Sequence, residues 1–250
     1  MYEAHVQIAI RTKSETSGWG VGEALLATLS RDGGLLVPEQ VSHNADKFVE
    51  SFMGVAETVA WWASKGTMRV NGALSEFNDH FAWRRKTTIK STGSVVHTMR
   101  NARGRLVPGS VHLRSAISER VDWYSLFKAW SEVFPPQLGM LHLFSNPELG
   151  PDTKNNSFQI GSFRAALNPV VPDMGWAMVY GDEFAEEVDV ERIAASGFPI
   201  EKLNNGYLVR VTENIQDVAS DFSLFSQRRA ELKSLFRADF FFNENEPSAD

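Results

Sequence analysis

The chemistry open to this chain is bounded first by what it lacks. None of its 250 residues is cysteine, which removes disulfides, thiolate metal sites and cysteine nucleophiles. The six histidines are His5, His43, His80, His97, His112 and His142. No two of them form HxH or HExxH. Asn78-Asp79-His80 gathers only two candidate ligands, fewer than a metal ion needs. No GxSxG elbow occurs, and no SxxK with its supporting motifs. A Ser–His–Asp group can still assemble from distant positions without leaving a motif. Ser17-Gly18-Trp19-Gly20-Val21-Gly22 fails both GxGxxG and GxxxxGK[ST], and reads as a flexible loop around Trp19. The sequence therefore assigns no catalytic, cofactor or metal residue.

Charge is more informative. The chain carries 25 Lys+Arg against 31 Asp+Glu, a net charge of -6, which disfavours a general nucleic-acid binder. The total conceals an asymmetry. Residues 65–130 hold 12 bases and 4 acids, residues 131–250 hold 9 and 19, and residues 1–64 hold 4 and 8. The basic middle gathers Arg84, Arg85, Lys86 and Lys90, then Arg100, Arg103 and Arg105. Such residues suit phosphate contacts, or a solvated sheet face or hairpin tip. The acidic segment is denser. Asp182, Glu183, Glu186, Glu187, Asp189 and Glu191 fall within ten residues that contain no base. Close like charges repel, so a basic partner would be steered to them. They also suit a helix N-terminus, where carboxylates complement the macrodipole.

The elements that must position these groups can be read from periodicity. Val6, Ile8 and Ile10 alternate as in a half-buried strand. Residues 23–30 suit a short helix stopped by Asp32-Gly33-Gly34. From Asp46 to Ser64, Phe48, Phe52, Val55, Val59 and Trp62 recur at steps of three and four, which predicts a helix with one core-facing stripe. Strands are predicted through Phe81–Ile89, Ser94–Met99, Leu138–Phe144, Trp176–Tyr180 and Tyr207–Thr212. Turns are predicted at Asn101–Gly104 and Asn204-Asn205-Gly206. Asp122 can cap a helix that Pro135-Pro136 stops. A short helix is expected near Ser157–Ala166. Asp189 can cap another helix, ended by Gly197. A long helix from Ser220 or Asp221 to about Ala238 turns Phe222, Phe225, Leu232, Leu235 and Phe236 inward, ahead of a frayed polar tail from Asn243. Most of the seven tryptophans sit on apolar stripes, with Trp19 and Trp83 the candidates for exposure.

Strands and helices do not alternate regularly, so the expected class is α+β: two packed lobes of mainly antiparallel sheet flanked by amphipathic helices, residues 1–117 and 118–250. No stretch approaches a membrane span, and Glu3, His5 and Gln7 interrupt any secretory leader, so the expected location is the cytoplasm.

The run Leu138-Gly139-Met140-Leu141-His142-Leu143-Phe144, then Gly175-Trp176-Ala177-Met178-Val179-Tyr180-Gly181, Gly197-Phe198 and Gly206-Tyr207-Leu208-Val209, followed by a Phe-rich helix, resembles the bacterial immunity proteins catalogued as immunity protein 52. The resemblance covers about residues 120–240. It implies an α+β protein without catalytic residues that binds and neutralises a cognate toxin of a type VI or polymorphic secretion system. Such a toxin is commonly a nuclease of restriction-endonuclease-like fold. On this reading the six acidic residues from Asp182 to Glu191 are candidate toxin contacts. Two other functions compete. One is a hydrolase whose site forms only in space. The other is a nucleic-acid adaptor using the basic middle.

Overall fold

The computed structural model describes residues 3–70, 73–101, 103–149, 170–242 and 246. The chain forms two compact units, one of residues 11–135 and one of residues 1–10 with 136–250. The boundary expected after residue 117 falls inside the first of these.

β1 (His5–Thr12) is the strand its alternation predicts, but it is buried almost throughout rather than on one face. The Gly18–Gly22 segment is not a loop. It starts α1 (Trp19–Leu29). A Cβ at Gly22 would sit 2.7 Å from the Trp62 ring and 2.9 Å from that of Trp19, so the glycine lets two indoles close on the helix. Asp32, Gly33 and Gly34 all take positive φ and end this region, as read from sequence.

The helix expected over Asp46–Ser64 does not form. β2 (Gln40–Ser42) is followed by β3 (Glu50–Ser51), which pairs antiparallel with it. Only α2 (Val55–Thr58) is helical. Gly54, at φ 124°, breaks the continuity. Of the predicted stripe only Trp62 is fully buried; Val55 and Val59 are exposed.

β4 (Lys65–Val70) and β5 (Ala73–Asn78) make a separate hairpin. β6 (Phe81–Arg85) and β7 (Ser91–Val96) are joined by a turn with Thr88 at φ 58°. β8 (Met99–Arg100) and β9 (Leu106–Val107) flank the predicted turn, and β10 (Gly109–Ser115) returns along β7. Within this unit the strand order is β10-β7-β6-β2-β3.

α3 (Trp123–Val133) opens on Asp122, whose side chain accepts from Ser125 N, as expected. Trp123, Leu126, Phe127 and Trp130 turn inward. A string of aromatic contacts fills the core: Trp62 to Phe81 at 5.3 Å, Phe81 to Trp83 at 5.8 Å, and Trp83 to Trp130 at 6.0 Å. Trp83 is fully buried, contrary to the expectation of exposure. It lies opposite Gly93 across β6 and β7, where a Cβ would come within 2.1 Å of its Cζ2.

In the other unit the strand order is β13-β14-β12-β11-β1. β11 (Pro136–Phe144) is buried along all nine residues. β12 (Ala177–Tyr180) pairs antiparallel with it and with β14 (Gly206–Arg210), which in turn pairs with β13 (Ile200–Leu203). The class is thus α+β with antiparallel sheets, as read. Gly181 and Gly206 of the motif runs are packing positions. A Cβ at Gly181 would meet Pro136 O at 2.0 Å, and one at Gly206 would meet Tyr180 O at 2.1 Å.

α4 (Val190–Ala195) is capped by Asp189 and followed by Gly197 at φ 75°. After a short α5 (Asp217–Ser220), the predicted C-terminal helix opens on Asp221, as read, but ends at Lys233 rather than near Ala238; it is α6 (Phe222–Lys233). Beyond it, Phe236, Phe240 and Phe241 pack together and onto Tyr180. The helix expected near Ser157–Ala166 lies outside the described residues.

Candidate protein-binding surface

The acidic run leaves β12 at Gly181 and winds into a 3-10 helix over Asp182–Glu187, pinned by the fully buried Phe184. Local bonds hold most of its carboxylates. Asp182 accepts from Asn205 Nδ2 at 2.5 Å, and Glu183 accepts from Gln137 Nε2 at 2.5 Å. Glu187 pairs with Arg237 Nε at 2.8 Å. Asp189 accepts from Arg192 N at 3.0 Å as the cap of α4. Glu186 and Glu191 are exposed and have no side-chain partner among the described residues. The structure therefore brings all six acids to one segment, uses four of them in its own bonding, and leaves Glu186 and Glu191 as unpaired charge. Beside the run, a hollow of about 350 Å³ curls round the end of α6, lined by residues that include Lys233, Phe236, Arg237 and Phe240.

The same unit contains a buried ionic cluster. Arg229 of α6, with no solvent exposure, donates from Nη1 to Glu148 Oε1 and from Nε to Glu246 Oε2, both at 2.6 Å. Lys233, one turn on, contacts Asp173 at 2.5 Å and Glu246 at 2.8 Å. His142 Nδ1 accepts from Trp176 N at 3.0 Å, which leaves Nε2 to donate to Glu148 Oε2 at 2.8 Å. Burial alone would raise the Glu148 carboxyl. His142 and Arg229 outweigh it and hold the group down to about 2. Glu246, expected in a frayed tail, is instead tied to α6. The signal for this cluster was in the sequence. Arg229 interrupts the inward series Phe222, Phe225, Leu232 and Phe236 at helical spacing, and a cation on an apolar stripe needs buried carboxylates.

A Ser–His–Asp grouping does assemble, in the unit of residues 11–135. Ser64 Oγ lies 3.0 Å from Asp79 Oδ2 and 3.3 Å from His43 Nε2, while His43 Nδ1 lies 3.1 Å from His80 O. The carbonyl oxygen requires the proton on Nδ1. The serine hydroxyl has one proton, and its shorter contact is to the carboxylate. Ser64 O also accepts from Asp79 N at 2.8 Å. The group closes the base of the β4–β5 hairpin, and the hydroxyl is aligned to Asp79 rather than poised on an imidazole base.

The basic middle is divided. Arg84 donates to Gln40 Oε1 at 3.1 and 2.7 Å and lies over Phe48. Arg85 donates to Val37 O. Lys86, Lys90, Arg100, Arg103 and Arg105 are exposed, the last three around the β8–β9 turn. Among the described residues no group of three metal-ligating side chains occurs, and no helix is long and apolar enough to cross a membrane.

These features sit on an α+β scaffold. Among solved structures the chain is similar to the Pseudomonas aeruginosa T6SS protein PA0821, with a TM-score of 0.57 and 9% identity. The match covers 99% of this chain and 76% of that one. The likeness is one of fold. No family model matches the chain, and no curated protein matches it.

Proposed function

We propose that this chain is an immunity protein of a type VI secretion system: it binds a cognate secreted toxin in the cytoplasm and neutralises it by occupancy rather than by turnover. The observation that carries the reading is the fold likeness to a T6SS protein over 99% of the chain. Two further features support it. The runs around Leu138–Phe144 and Gly175–Gly181 resemble the immunity protein 52 family. The segment Asp182–Glu191 presents unpaired Glu186 and Glu191 to solvent, which suits a toxin with a cationic substrate groove, as a nuclease has.

The test is co-expression with the toxin encoded by the neighbouring reading frame, scored by survival and by copurification of a stoichiometric complex. Loss of protection together with absence of a complex would overturn the reading. The contribution of the acidic run is tested by replacing its carboxylates with their amides. The change Asp189→Asn keeps the cap of α4, and Glu183→Gln keeps a hydrogen-bonding oxygen toward Gln137. The double change E186Q/E191Q should slow association and flatten its salt dependence. The six amide changes together should weaken binding at least tenfold, and unchanged affinity would remove these residues from the interface.

A further inference from the structure

The segment from Asp46 to Ala60 has the composition of a core element and the exposure of a surface one. Val49 is 66% exposed, Met53 74%, Val55 37% and Val59 48%. The cause is local. Gly54 breaks the helix that would have turned a stripe inward, and β3 pairs with β2 on one side only. β3 ends the strand order of its unit, so its outer backbone groups have no strand partner among the described residues. β3 is only two residues long and carries Glu50, which limits the backbone edge it offers; the exposed apolar surface comes from Val49 and Met53 on either side of it. Large apolar side chains clustered along an open edge mark a surface that another molecule covers.

The rim says what kind of molecule. Asp46, Glu50 and Glu57 are exposed, and no cation pairs with them among the described residues. Lys47 is the one base between residues 46 and 60, and Arg84, which lies over Phe48, is held by Gln40. A second copy would bring the same carboxylates face to face. A basic protein with cations around an apolar ridge would match both features.

We infer that the Val49–Val59 surface, with the free edge of β3, is a docking site for such a basic protein, and that its occupant is the cognate toxin. The inference rests on the immunity reading and adds a contact surface to it. Val49, Met53 and Val59 are the anchors, Glu50 and Glu57 steer, and the β3 edge accepts a strand or extended segment.

The experiment uses the full chain and, as probe, the catalytically inactivated product of the neighbouring toxin gene. Titration calorimetry compares the parent with V49S/M53S/V59S. These side chains are exposed, so thermal midpoint and far-ultraviolet circular dichroism should not change. The triple variant should bind at least thirtyfold more weakly, and E50Q/E57Q should reduce the association rate at low salt. Amide hydrogen exchange across residues 49–53 should slow in the complex. If the parent binds and the triple variant binds within twofold of it, this surface is not the contact although the immunity reading stands. If the parent does not bind, both fail. If the parent alone is a dimer that the triple variant dissolves, the occupant is a second copy and the assignment to a basic partner is overturned.

Discussion

Glu148 and Arg229 meet at 2.6 Å with almost no solvent on either side chain, 81 residues apart in the chain. Taking two charges out of water costs several kcal/mol per ion, and the pair is tolerable because each partner has further contacts. Glu148 also holds His142, and Arg229 also holds Glu246. Replacing Glu148 by Ala leaves the guanidinium facing one carboxylate fewer in a dry site. The expected loss is about 3–5 kcal/mol, read as a lower urea midpoint. Adding Arg229→Met in the same chain should recover part of it, and the double-mutant cycle measures how much.

Acid should destabilise the protein over two pH windows. Burial is the largest effect at both His97 and His112 and pushes each down to about 4, from an ordinary 6.5. The folded state then favours neutral imidazole, the unfolded chain takes up protons first, and stability falls as pH drops from about 6.5 to 4. Glu148 works lower. Its folded value of about 2 lies below the ordinary 4.5. Its contribution is complete above 4.5 and is lost as pH falls toward 2. Urea midpoints measured from pH 8 to 2 should show both windows, and His112→Gln should flatten the upper one by about one proton.

The indole of Trp130 donates to Thr28 Oγ1 at 2.7 Å, and the same hydroxyl donates to Leu25 O at 2.6 Å. Thr28→Val keeps the shape and removes both partners, leaving a buried N–H unpaired. The expected cost is about 1–3 kcal/mol. Thr28→Ser keeps the hydroxyl and should lie closer to the parent in a thermal melt than Thr28→Val does.

Three helices open on an aspartate whose side chain accepts a backbone N–H at 3.0 Å: Asp122 from Ser125, Asp189 from Arg192 and Asp221 from Leu224. Each change to Ala should cost about 1 kcal/mol and each change to Asn much less. Chemical denaturation of the paired variants separates loss of the cap from loss of charge.

What the sequence disclosed was the structure written in neighbouring residues. Asp122, the stripe from Trp123 to Trp130 and Pro135-Pro136 lie within one short segment and define α3. Asn204-Asn205-Gly206 likewise carries its own turn. The failures come where distant partners or one backbone angle decide. The stripe from Phe48 to Trp62 fits helical periodicity, yet Gly54 and the pairing of Glu50–Ser51 with β2 overrule it. Trp83 looks like an exposable aromatic until Phe81 and Trp130 close on it. The acidic run was legible as a cluster. Which of its carboxylates stay unpaired was not, because Asn205, Gln137 and Arg237 come from other elements.

The gap at Gly93 also governs how β6 and β7 find one another. The indole of Trp83 fills the volume a side chain at that position would need, so glycine acts as a notch and tryptophan as its key. Sliding β7 by one step would bring Thr92 or Ser94 against the ring, where there is no room for either. The pair thus fixes the alignment of the two strands: a hairpin out of register by one residue is disfavoured by collision at the ring.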